Sequence, residues 1–286
     1  MPNELRNFER HKQFNTMLLL ESRPTCIFLG HTYISAKFDH RAAILSCLFG
    51  GSTHAYNGCL DTGVHELDLS TEKVTSLGQH ANAASALSDA REINTLISGS
   101  WYQSPRFWEP RAPKAEVSNH TLPERVYHMD IVNNTLVVSM ASRLFHIYDV
   151  RRMSEPAQTR ESSLKFMTRG YAIGSVEGRI VVEYLDPSPE AQEKTYAFKC
   201  HRKNIEDVDH VWPINALAFH PVHNTFASAG SDGTVSIWDH KYPKYASAIP
   251  SIAFNCDGTH LAVGVSYTWD EGEDGLKKEG GTTRAV

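Results

Sequence analysis

Four basic side chains carry the most readable chemistry in this chain: Arg169, Arg179, Lys199 and Arg202. They fall within 34 residues of a 286-residue protein whose formal net charge is −5 at pH 7. A guanidinium offers a flat, two-pronged donor to a carboxylate or phosphate, and charge-assisted hydrogen bonds are roughly twice as strong as neutral ones. Gathered at strand ends and turns, such side chains would hold an acidic or phosphorylated peptide. The competing reading is that they are solvated charges, or pair with Glu177, Glu183 and Glu193. Trp101, which follows Gly99-Ser100, would add an aromatic surface to a peptide site, or else pack in the core.

Catalytic patterns are missing from the sequence. It has no G-x-S-x-G elbow, no phosphate loop and no metal triad, so no catalytic residues, metal ligands or cofactors are expected. His220-x-x-His223 has a spacing that zinc could use, but no further Cys or His supports it, and a structural loop fits better. The five cysteines are scattered, without a C-x-x-C pair, which suits buried thiols in a reducing compartment. The acidic balance argues against direct nucleic-acid binding. No apolar run approaches the roughly 18 residues of a membrane helix. The first residues, MPNELRNFERHK, lack a signal-peptide layout, so no membrane contact is expected.

The elements that position these residues read as short strands. Ile214–Phe219, Phe226–Gly230 and Thr234–Trp238 are three strands cut by an HPVHN loop and a Ser231-Asp232-Gly233 turn, ending in Trp238-Asp239. That order is the signature of one β-propeller blade, and a blade cannot bury both faces of its own sheet. Comparable closing pairs recur at Leu67-Asp68, Trp108-Glu109, Tyr148-Asp149 and Tyr184-Leu185-Asp186. The expected fold class is all-β, a WD-repeat β-propeller of six or seven blades. His40 with Asp61 fits a structural His–Asp bond of such blades, whereas Tyr102 stands where the partner of His80 is expected. Incomplete blades are expected near 1–35, 168–174 and 240–286. The first has a degraded pattern, the second lacks room for an innermost strand after an outer strand near Glu161–Met167, and the third is left with only Thr282–Val286 to close it.

The run RESSLKFMTRG…GSVEGRIVVEYLDPSPEAQEKTYAFKCHR (160–202) is more specific than any dipeptide. It closely resembles the mitotic-checkpoint WD-repeat proteins of the budding-uninhibited-by-benzimidazole set. The resemblance continues through AKFDHRAAILSCLF, HAYNGCLD, ISGSW, WEPR, WPINALAFHPVHNTFASAGSDGTVSIWD and SIAFNCDGTHLAVGVSYTW. It implies a seven-bladed propeller over 36–270, flanked by a divergent segment (1–35) and a polar tail (271–286). Against the family pattern the chain lacks a segment between Arg169 and Tyr171 and a short strand after His240.

The resemblance further implies a non-enzymatic scaffold of the spindle assembly checkpoint, in the nucleus and at kinetochores in mitosis. Its partners would be the checkpoint kinase and its relative through their GLEBS motifs, a kinetochore scaffold carrying phosphorylated Met-Glu-Leu-Thr repeats, and the ubiquitin-ligase-inhibiting checkpoint complex. Arg179 and Arg169 would pair GLEBS glutamates, and Lys199 and Arg202 would face the phosphopeptide. The alternatives are the mRNA-export propeller, which binds a nucleoporin GLEBS motif, and a truncated isoform that does not bind.

Overall fold

The computed structural model describes residues 16–19, 25–29, 34–50, 53–90, 93–112, 115–164, 168–169, 173–175, 178–223, 225–238, 240–244, 247–254, 258–265 and 284–285. Asp239 and much of the C-terminal run lie outside the described residues. The first sheet is β1 (Thr16–Leu19), β2 (Thr25–Leu29) and β3 (Ile34–Asp39). The second is β4 (Ile44–Phe49), β5 (His54–Cys59), β6 (Gly63–Asp68) and β7 (Lys73–Gln79). The third is β8 (Ala84–Ala90), β9 (Thr95–Ser100), β10 (Arg106–Trp108) and β11 (Glu116–Asn119). The fourth is β12 (Val126–Val132), β13 (Thr135–Met140), β14 (Leu144–Asp149) and β15 (Gln158–Glu161). The fifth is β16 (Thr168–Arg169), β17 (Ile173–Ser175), β18 (Arg179–Val182) and β19 (Tyr196–Lys199). A two-stranded ribbon follows, β20 (Arg202–Ile205) with β21 (Val208–Val211). The sixth sheet is β22 (Ile214–Phe219), β23 (Phe226–Gly230), β24 (Thr234–Ile237) and β25 (His240–Lys244). The seventh is β26 (Ser251–Phe254), β27 (Leu261–Val265) and β28 (Arg284–Ala285).

Each sheet runs up and down in chain order, and adjacent sheets pack face to face in a propeller-like arrangement. Apolar clusters fill the seams. Phe38 meets Ile44 and Leu67 between the first and second sheets, and Tyr56 and Val64 meet Leu96 and Trp108 between the second and third. Phe107 meets Met129 between the third and fourth. Ile180 and Cys200 meet Ile214 and Phe226 between the fifth and sixth, and Val235 meets Ile252 between the sixth and seventh. Strands such as β13 alternate strictly between buried and half-buried residues, as a pleat requires. In β23, FASAG, small residues are buried on both faces.

The repeat is visible in details that sequence periodicity does not show. The innermost strands β4, β8, β12 and β22 each carry a register shift after their first residue, at Ile44/Ser46, Ala84/Ala86, Val126/His128 and Ile214/Ala216. Two of the extra residues reach the next sheet: Ser85 Oγ donates to the Val126 carbonyl at 2.8 Å, and Asn215 Nδ2 to that of Ile249 at 3.3 Å.

Several expectations are corrected. The innermost strand of the fifth sheet is not lost; two residues, Thr168 and Arg169, pair with Ser175 and Gly174. The fourth sheet's outer strand is Gln158–Glu161 rather than Glu161–Met167. An outer strand does follow Trp238, at His240–Lys244. His40 bonds Asn57, at 2.8 Å, and not Asp61, whose carboxylate accepts from Gly63 N. His80 does sit in a polar network: its Nε2 is 2.6 Å from Ser98 Oγ, and Ser104, two residues past Tyr102, contacts Nδ1 at 3.3 Å.

Candidate functional site

The up-and-down order sets the turn between the second and third strands, and the link from one sheet to the next, at one common end. A recurring backbone bond ties the two together, from Leu60, Trp101, Ala141 and Ser231 N–H to the carbonyls of Ala43, Ala83, Arg125 and Pro213. This end carries Trp101, Arg179, Lys199 and Arg202.

Gly178 brings the three cations together. Its backbone is left-handed (φ +59°), and a Cβ there would meet the Cys200 carbonyl at 2.5 Å. The close approach lets Cys200 N donate to the Gly178 carbonyl at 2.9 Å. Arg179 and Lys199 then stand directly opposite across β18 and β19, and Arg202 opens β20 three residues on. Opposed like charges in antiparallel strands repel, and an anion seated over both would relieve that repulsion. Lys199 is exposed, and Arg179 and Arg202 are half-buried. The Cys200 thiol beside Lys199 is pushed up to about 12 by burial, so it stays protonated at neutral pH.

The remaining expected site residues are less closely grouped. Arg169 lies opposite Gly174, in the row of Ile180, one step from the Arg179–Lys199 row. Trp101, 40% exposed, belongs to the third sheet, with the fourth sheet between it and the fifth along the chain.

Comparison with known proteins fits this arrangement. The WD domain, G-beta repeat family matches residues 192–239, the ribbon and most of the sixth sheet. The mitotic checkpoint protein BUB3.1 of Arabidopsis thaliana is 40% identical over 88% of this chain and 80% of its own length. The chain belongs to the Bub3 family. A poly(A)+ RNA export protein of Schizosaccharomyces pombe is 32% identical over 85% of this chain and 74% of its own. Other mitotic checkpoint relatives range from 34% to 40%. In fold, the chain is similar to a solved structure titled as the crystal structure of the mitotic checkpoint complex. The TM-score is 0.68 at 14% identity, covering 87% of this chain and 83% of that one.

Sequence reasoning missed two features at the basic end of this Bub3-family chain. Arg143 occupies the corresponding turn of the fourth sheet, between Trp101 and Arg179 in chain order. Its guanidinium donates to the Leu164 carbonyl at 3.0 Å and pairs with Glu161. The β20–β21 ribbon presents Ile205, Val208 and Val211 to solvent beside Arg202. It turns on Glu206 and Asp207, both left-handed (φ 51° and 62°), a two-residue hairpin turn that normally announces itself by Asn-Gly.

The polar residues of the matched repeat serve its architecture. His201 Nδ1 is 2.9 Å from Asp232 Oδ1, and its Nε2 is 2.8 Å from Ser228 Oγ. Burial pushes the Asp232 carboxyl up, but hydrogen bonds with His201 and Thr234 outweigh it and hold the group below its usual range. His220 Nδ1 accepts from the backbone N–H groups of Val222 and His223, so His220-x-x-His223 is a turn cap.

Proposed function

We propose that this Bub3-family chain is a protein-binding scaffold of the spindle assembly checkpoint, acting in the nucleus and at mitotic kinetochores. The observation that carries the reading is 40% identity with a mitotic checkpoint protein over 88% of the chain. The basic end of the sheets supports it: Arg179 opposite Lys199, with Arg202 beside them, suits glutamates and phosphothreonine. In this reading Arg179 and Arg169 engage GLEBS segments of the checkpoint kinase and its relative. Lys199 and Arg202 take phosphorylated Met-Glu-Leu-Thr repeats, and Trp101 lends an aromatic contact. The same surface would let the chain join the complex that inhibits the ubiquitin ligase, as a binder without turnover.

Calorimetry with a checkpoint-kinase GLEBS peptide tests this. Binding is expected, and Arg179→Glu should weaken it about 10- to 100-fold, the cost of one or two charge-assisted bonds. A folded chain that ignores this peptide but binds a nucleoporin GLEBS peptide would favour the RNA-export reading, which the 32% relative supports. A folded chain that binds neither would mean the shortened sheets have cost it the family's activity.

A further inference from the structure

Away from the basic cluster, three metal-ligating side chains converge where the first sheet meets the second. His40 follows β3 directly, Cys59 ends β5, and His65 lies in β6. Their ligand atoms all lie within 4.8 Å of one another. Cys59 Sγ is 3.8 Å from His65 Nδ1. With metal–sulfur and metal–nitrogen bonds of about 2.3 and 2.05 Å at a tetrahedral angle, zinc requires about 3.6 Å between such atoms. The pair therefore stands close to ligation distance already.

The surroundings prepare these groups. Gly63 has no side chain to obstruct His65: a Cβ there would meet His65 Cε1 at 2.5 Å and Asp61 Oδ1 at 3.3 Å. Asp61 is exposed and acts on both histidines as a negative charge, drawing a cation toward them. The fully buried Asn57 touches all three groups. Its Nδ2 is 2.8 Å from His40 Nε2, and its Oδ1 accepts from His65 Nδ1 at 3.1 Å and Cys59 Sγ at 3.6 Å. An ion between the three ligands would displace the Asn57 Oδ1 bonds to Cys59 Sγ and His65 Nδ1, the thiol proton leaving to solvent and the imidazole proton moving from Nδ1 to Nε2.

We propose that His40, Cys59 and His65 form a structural zinc site that pins the end of β3 to the β5–β6 hairpin. Two imidazoles and a thiolate are borderline-soft donors, which select zinc over magnesium or calcium. Binding releases the Cys59 thiol proton to solvent, and the half-buried histidines leave the fourth position open to water. The clip fastens the first sheet to the second.

The test titrates Co²⁺ alone into chelator-stripped full-length chain and follows near-ultraviolet absorption. One equivalent should give a saturable thiolate-to-cobalt charge-transfer band that Zn²⁺ bleaches. Cys59→Ser should abolish the band, and His65→Gln should weaken uptake at least about tenfold while circular dichroism stays native. No saturable band on the intact chain would overturn the proposal. So would an undiminished band in either variant, since cobalt would then sit on other thiols. Should Cys59→Ser fail to fold, the half-buried His65 position decides the matter.

Discussion

The third and sixth sheets place a histidine, a serine and a tryptophan in the same corner and wire them differently. In the third, Ser98 Oγ takes bonds from both sides: His80 Nε2 and Trp108 Nε1 each lie 2.6 Å away, and Ser104 contacts the other imidazole nitrogen. In the sixth, Asp232 fills the place of Ser104, while the buried Nε1 of Trp238 has no hydrogen-bond partner among the described residues. Trp238 is held instead by the ring of Phe198, whose centroid is 4.3 Å away. Both corners satisfy the histidine, with different residues on its Nδ1 side, but only the third also satisfies the indole.

Acid should separate the two corners most widely. Burial, with Arg106 nearby, pushes His80 down to about 4. The unfolded chain then binds the extra proton first, so stability declines as pH falls from about 6.5 to about 4, by roughly 3 kcal/mol. Asp232 is depressed, so its contribution persists above about 4 and is lost only below that. Urea midpoints measured between pH 7 and pH 4 should therefore fall in the native chain and fall less steeply in His80→Gln, where His128, also pushed down to about 4 by burial, keeps part of the slope. Asp232→Asn should leave that slope unchanged; an equal response in both variants would erase the distinction.

Removing the indole donor sharpens the contrast further. Trp108→Phe strips a buried bond to Ser98 and should cost about 1–3 kcal/mol, whereas Trp238→Phe, which loses no such bond, should cost under about 1 kcal/mol. Equal losses in denaturant would show that ring volume alone matters at both positions. The smallest effect is expected at Ser104→Ala, about 0.5–1.5 kcal/mol, since only one neutral bond goes. A thermal melt indistinguishable from the native one would remove Ser104 from the network.

The sixth sheet was legible almost residue by residue, because its apolar run, small-residue strand and Asp-Gly turn each carry a local signature. The His80 network was hidden, because Ser104 stands two residues past the position where an acid was sought. β16 escaped because two residues show no period. The ribbon escaped because its left-handed turn uses Glu206 and Asp207 in place of glycine. At the basic site, residue types were readable, but the opposition of Arg179 and Lys199 was not. It is a matter of strand register, which composition leaves open.

That two-residue strand has a consequence for exchange with solvent. β12 and β13 share six residue pairs, while β16 and β17 share two. Amide protons in the fourth sheet should survive until the whole domain opens, whereas those of Thr168, Arg169 and Gly174 should swap for deuterium through a small, local excursion. A peptide bound across Arg179 and Lys199 would lengthen the lifetime of those protons first, making Gly174 an early reporter of occupancy.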